Sequence, residues 1–163
     1  MIDPNMMMSE ECKFVAALGP LIPTGAGTAW VSLKLYNKVT VLISALNGTT
    51  VTPATVSLSQ AQNVSGLNAK ALPFTNVRAN LDTSVNDTLV DTPVVSNTFS
   101  LGAVNLKQMI YEITIDETML DINGFFRCLH VNIGAATAQT VSVLYVLWPA
   151  KVGRGTPPSA VVD

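Results

Sequence analysis

The sequence predicts an all-β fold: an antiparallel sandwich, jelly-roll-like, with flexible arms at both ends. Three observations predict it. Hydrophobic residues recur with a period of two from position 28 to 148, the pattern of strands that bury one face. Turn-forming residues interrupt that pattern at short intervals. Hydrophobic residues make up 48% of the chain and charged residues only 12%, so the core can be large while Ser, Thr and Asn fill the solvent side.

The elements follow in chain order. Residues 1–8, with Met6, Met7 and Met8, show no period and read as an arm. Ser9-Glu10-Glu11 reads as a helix start, with an oxygen cap and acids in the first turn. Gly19-Pro20 stops any such helix at about Leu18. Pro23-Thr24-Gly25-Ala26-Gly27 is a loop. Strand faces then read Val31, Leu33, Leu35; Val39, Val41, Ile43, Ala45; Val56, Leu58; Phe99, Leu101; Tyr111, Ile113, Ile115; Leu129, Val131, Ile133; and Val141, Val143, Tyr145, Leu147. Asn47-Gly48 reads as a hairpin turn. Residues 60–72 form a polar loop around Gly66, and 80–97 an acidic excursion with Asp82, Asp87 and Asp91. The last strand is apolar on its second face as well, through Leu144, Val146 and Trp148, so it is either central or covered. The resulting division is an N-terminal arm with a short helix or loop over 1–27, a β-sandwich domain over 28–150, and an extended C-terminal tail with Pro157-Pro158 over 151–163.

Composition and motif spacing remove most other classes. A chain of 163 residues suits one domain. A net charge of −2 gives no basic footprint for nucleic acid. No apolar run approaches the length of a membrane helix. Asp3, Glu10 and Glu11 against Lys13 have the wrong sign for a secretory signal. Two distant cysteines, Cys12 and Cys128, make neither a disulfide scaffold nor a zinc site and are expected as free thiols. His130, the single histidine, shares a strand face with Cys128 but has no third group to orient a dyad. Asp116, Glu117 and Asp121 before Asn123-Gly124 lack the spacing of a calcium loop. The expectation is a non-enzyme with no cofactor, no metal, and neither a nucleic-acid nor a membrane partner.

Four blocks carry a family resemblance. They are Trp30-Val31-Ser32-Leu33-Lys34-Leu35-Tyr36-Asn37-Lys38-Val39; Thr55-Val56-Ser57-Leu58-Ser59-Gln60-Ala61-Gln62, continuing to Ala69-Lys70-Ala71-Leu72; Leu120-Asp121-Ile122-Asn123-Gly124-Phe125; and Leu144-Tyr145-Val146-Leu147 with Pro149. Together, over roughly 28–150, they resemble small virion proteins encoded by tailed bacteriophages. The resemblance implies a head decoration or cement protein on the capsid surface, assembled in the host cytoplasm. Its partners would be the major capsid protein and copies of itself, as a dimer or trimer. The alternative is a carbohydrate- or receptor-binding sandwich of a tail fibre or baseplate, in which Trp30, Trp148 or Tyr36 would stack on sugar rings.

The residues expected to make contacts are Met6, Met7, Met8, Leu144, Val146, Trp148, Val161 and Val162. Methionine adapts to irregular grooves. A preformed extended tail loses little entropy on docking, so one or both arms are expected to lie along neighbouring subunits.

Overall fold

The computed structural model describes residues 7–25, 27–94, 96–151 and 157–162. Met6 and the rest of 1–6 lie outside the described residues.

A four-residue helix, α1 (Met8–Glu11), opens the described chain, with the Met7 N–H donating to the Glu10 carboxylate at 2.7 Å. Eleven strands follow among the described residues: β1 (Lys13–Leu21), β2 (Val31–Ser32), β3 (Tyr36–Thr52), β4 (Thr55–Ala61), β5 (Lys70–Ala71), β6 (Asn76–Asn80), β7 (Val90–Pro93), β8 (Thr98–Ser100), β9 (Gln108–Asp116), β10 (Cys128–Ile133) and β11 (Thr137–Ala150). Two 3-10 turns, Glu117–Met119 and Ile122–Gly124, join β9 to β10.

The strands form two antiparallel sheets. One has the order β1-β11-β3-β9-β6-β7, the other β2-β10-β4-β5, with β8 also pairing β4. From β1 to β4 and again from β8 to β11, successive strands alternate between the two sheets. That alternation is the jelly-roll form of the sandwich, and the β6–β7 hairpin extends the larger sheet past β9. The inner faces bury Val39, Val41, Ile43 and Ala45 of β3 against Leu129, Val131 and Ile133 of β10, all at 0–1% exposure. Each Val, Leu and Ile among them contributes about 1.5–3 kcal/mol by leaving water.

The helix expected to run to Leu18 ends at Glu11, and Lys13–Leu21 is an edge strand. The reason is tertiary. Residues 13–16 pair with Leu147 through Leu144, and Val15, Ala17 and Leu18 pack on the core. Pairing and burial outweigh a weak local helix signal. Pro20 is tolerated because β1 lies at the sheet edge, and two register shifts distort the ladder beside it.

The hairpin expected at Asn47-Gly48 is also absent: β3 runs straight through it. Asn47 is 2% exposed, and its amide donates to the carbonyls of Gly102 and Val104 at 2.9 and 2.8 Å. Gln139 donates to Asn47 Oδ1 at 2.7 Å and accepts from the Ala54 N–H at 2.8 Å. The pair plugs one end of the sandwich with satisfied polar groups. At the core's centre, the Tyr145 hydroxyl lies 2.6 Å from Thr28 Oγ1 and accepts from the Val131 N–H at 3.0 Å. Burial pushes that phenol up to about 12.

Strand β11 is central, lying between β1 and β3. That accounts for its two apolar faces, the second of which reaches the outside of the larger sheet.

Candidate interaction surfaces

Register places the outward residues of the larger sheet in rows. One row is Phe14–Val146–Thr40–Thr114. The next is Ala16–Leu144–Leu42–Glu112–Arg78–Asp91. A third is Ser142–Ser44–Ile110–Asn80. Phe14 is 40% and Ile110 37% exposed, and Leu42 and Leu144 are half-buried. The apolar strip is therefore confined to β1, β11 and β3, through Phe14, Ala16, Leu144 and Leu42; toward the β7 edge the same row is charged, with Glu112 and with Arg78 paired to Asp91 at 3.1 Å. Of the residues expected to make contacts, Leu144 and Trp148 lie half-buried on this face, and Val146 is 5% exposed between them. Lys38 sits 3.6 Å over the Trp148 ring, and the indole N–H donates to Thr40 at 3.3 Å.

The outer face of the smaller sheet differs. The row Ser32–Cys128–Ala61 is buried, at 0–5% exposure. His130, in the next row with Ser59, is 8% exposed beneath Trp30, whose ring stacks on it at 4.6 Å and 18°. A Cβ on Gly27 would collide with the His130 ring. One on Gly66, at φ +79°, would press to 3.1 Å on the Trp30 indole. The chain seals this face with its own loops. Burial lowers the His130 pKa, opposed by a hydrogen bond to the Thr28 backbone.

The tail belongs to that seal. Pro157 and Ala160 are buried, the Ser32 N–H donates to the Ala160 carbonyl at 2.7 Å, and the Tyr36 hydroxyl donates to the Pro158 carbonyl. Residues 157–160 thus lie on their own domain, whereas one or both arms are expected from the sequence to lie along neighbouring subunits. The cause is two otherwise unpaired polar groups, the β2 edge N–H and a buried phenol, which the tail carbonyls satisfy. Val161 and Val162 remain exposed beyond it, as do Met7 and Met8 at the other end.

A third surface is the loop between β9 and β10. Asp121 organises it: its carboxylate accepts from the Gly124 N–H at 3.0 Å and from Lys70 at 2.5 Å, and its own N–H donates to Gln60 Oε1 at 2.8 Å. Gln62 donates to the Gly124 carbonyl at 2.8 Å. These bonds hold the Asp121 pKa below the usual carboxylate range, the Lys70 hydrogen bond contributing most. Lys70 also lies 4.1 Å over the Phe126 ring. The loop leaves three apolar side chains outside, Met119 at 42%, Ile122 at 39% and Phe125 at 71% exposure, beside the exposed Thr118 and Asn123. Phe125 has φ +64°, a left-handed conformation unusual for a bulky residue.

The acids of the faint calcium-like stretch each have another task. Asp116 accepts from the Thr118 N–H at 2.9 Å, Glu117 pairs with Lys151, and Asp121 with Lys70. Among the described residues no group of three metal-ligating side chains comes together. Neither Cys12 nor Cys128 is in a disulfide. The aromatics named for sugar stacking are occupied: Tyr36 is 0% exposed, Trp30 has a face on His130, and Trp148 lies under Lys38.

Sequence reasoning missed Phe14, Ile110, Met119, Ile122 and Phe125. Phe14 was hidden in an apparent helix. Leu42 was legible, because it interrupts the polar face of its own strand.

No family model matches the chain, and no curated protein does. Among solved structures, the chain is similar to the SPBc2 prophage-derived protein YomS. The identity is 12% and the TM-score 0.46, over 84% of this chain and 93% of that one.

Proposed function

We propose that the chain is a structural virion protein. It binds the outside of a phage capsid and reinforces it, as a head decoration or cement protein, with no catalytic role. Its partners are the major capsid protein and further copies of itself. The four sequence blocks support the virion assignment. The observation that carries the docking mode is the contrast between the two outer faces: loops and tail seal the smaller sheet, while the larger sheet leaves Phe14, Leu42, Leu144 and Ile110 accessible. An apolar strip with few charges suits burial against a shell, because little charge must be desolvated. Localisation on the capsid surface follows from that reading.

The test is imaging of heads assembled without the protein and then incubated with it. Added density on the outer surface is expected, with greater resistance of the heads to heat. Phe14→Asp combined with Ile110→Asp should abolish that density while the free protein stays folded. Density at the tail fibre or baseplate, or no binding to heads, overturns the proposal.

A further inference from the structure

We propose that the loop 117–126 is a self-association site, in which Phe125 of one copy enters the cavity beside the same loop of a second copy, reciprocally. The cavity measures about 130 Å³. Leu33, Leu120 and Phe126 form the buried part of its lining, and Glu117, Ile122, Arg127 and Lys151 the more exposed part, with Glu117 ion-paired to Lys151 at the mouth. Its floor is apolar and its mouth is charged, so a single aromatic ring can reach Leu33, Leu120 and Phe126 while its face lies against Arg127. Beside it stands an aromatic ring with no place in its own core: Phe125, 71% exposed.

Two features make Phe125 a knob and not a stray surface residue. Its backbone is left-handed at φ +64°, a conformation that strains a non-glycine residue. Glycine or asparagine would sit there without that strain, so the phenyl ring is retained against local stability. The loop is also fixed before any partner arrives, through Asp121, Gln60, Gln62 and Lys70. A preordered loop loses little entropy on docking.

The second copy follows from the placement of knob and hole. Phe125 is adjacent in sequence to Phe126 and three residues from Ile122, both of which line the cavity. A twofold contact must be self-complementary, with knob and hole on one patch. A ring would instead need them on separate surfaces. Arg127 at the rim is suited to lie on the face of an incoming ring. Two inserted phenyl rings with their flanks bury less than a standard interface, so the pair is weak in solution and strengthened where copies are held close together. The inference does not depend on what the sheet face binds.

Sedimentation velocity of the full chain, up to about 1 mM, tests it. The wild type should show concentration-dependent dimers. Phe125→Gly should weaken association at least about tenfold, the loss expected for a central aromatic anchor, and at the same time raise the melting temperature. Phe14→Asp, on the open sheet face, should leave the dimer unchanged. A wild type that stays monomeric throughout overturns the proposal. So does a Phe125→Gly variant that still pairs, or one that melts lower, which would make Phe125 a support of its own loop. Loss of the dimer in Phe14→Asp alone would place the contact on the sheet face and overturn it as well.

Discussion

The two outer faces of the sandwich are built from strands with the same inward pattern, yet one is closed by its own chain and the other is open. On the smaller sheet the outward residues are Ser57, Ser59, Cys128, His130 and Asn132, small or polar. Trp30 and the loop around Gly66 close over His130, and the tail at Ala160 closes the β2 edge beside the buried Cys128, while Ser57, Ser59 and Asn132 stay half-buried. On the larger sheet the outward residues include Phe14, Leu42, Leu144 and Ile110, and α1 lies beside β1 and β11. Hydrophobicity alone would predict the reverse covering. The covering follows backbone hydrogen bonding instead: the β2 edge takes up the tail, and His130 and Trp30 close over each other. An apolar face left open when covering segments exist is what the proposed docking on a shell would use.

The largest expected effect breaks the closed side. Truncation after Lys151 removes the carbonyls that serve the Ser32 N–H and the Tyr36 hydroxyl, and uncovers the core at Ala160. Two orphaned polar groups and the lost apolar contact should cost about 4 kcal/mol, lowering the melting temperature by about 10 °C. Removal of residues 1–7 should change it little, since Met7 is 73% exposed. Differential scanning calorimetry of the two truncations distinguishes the arms; equal effects would make the closed face independent of the tail.

The next effect separates folding from docking on one row of the open face. Phe14 and Val146 are register partners, but Val146 is 5% exposed and Phe14 40%. Val146→Asp buries a charge without a partner and should cost about 3 kcal/mol in chemical denaturation. Phe14→Asp should cost about 1 kcal/mol or less, its main loss appearing in retention on heads. If both variants unfold alike, the open face is structural at this row.

Gly27→Val is a smaller disturbance of the closed side. The new side chain meets the His130 ring, and overpacking there should cost about 2 kcal/mol, seen as a lower denaturation midpoint. Trp30 emission should shift red as the stack loosens.

The same contrast shows how much was legible in the sequence. The all-β fold and the inward faces were plain, because period-two burial is written residue by residue: Val39, Val41, Ile43 and Ala45 were named from spacing and are all 0% exposed. The double-faced final strand was legible too, and its central place explains it. What failed depended on distant partners. Residues 13–21 look helical until β11 is beside them. Asn47-Gly48 looks like a turn until Gln139 and the Gly102 carbonyl receive it. The tail looks free until Ser32 and Tyr36 are seen waiting for its carbonyls. Candidate contact residues were half legible for a similar reason. Leu144 and Trp148 could be named from their strand, but the exposure of Phe125 depends on Asp121, Lys70 and Gln62 folding the loop away from it.

The smallest expected effect is a pH dependence confined to the closed face. Burial lowers the folded pKa of His130, and Trp30, Ser59 and Gly27 around it offer no negative charge to offset that. The unfolded chain therefore binds this proton more readily than the folded one. Stability from His130 is complete above its unfolded value of about 6.5, and falls as pH drops from there toward the lower folded value. Asp82, Asp116 and Asp121 have lowered pKa values from hydrogen bonds to Lys107, Thr118 and Lys70 respectively. Their contribution is present above the unfolded carboxylate range and is lost only in more acidic solution, below about pH 4. As pH falls from neutrality, the His130 window opens before the carboxylate one. Between pH 7 and 5 the melting temperature should fall by a few degrees, with quenching of Trp30 as the imidazole in its stack gains a proton. His130→Gln should flatten the curve in that window and leave the acid limb below it intact. A wild-type curve already flat between pH 7 and 5, or a His130→Gln curve that keeps the slope, would show that the seal over the smaller sheet does not hold this histidine neutral.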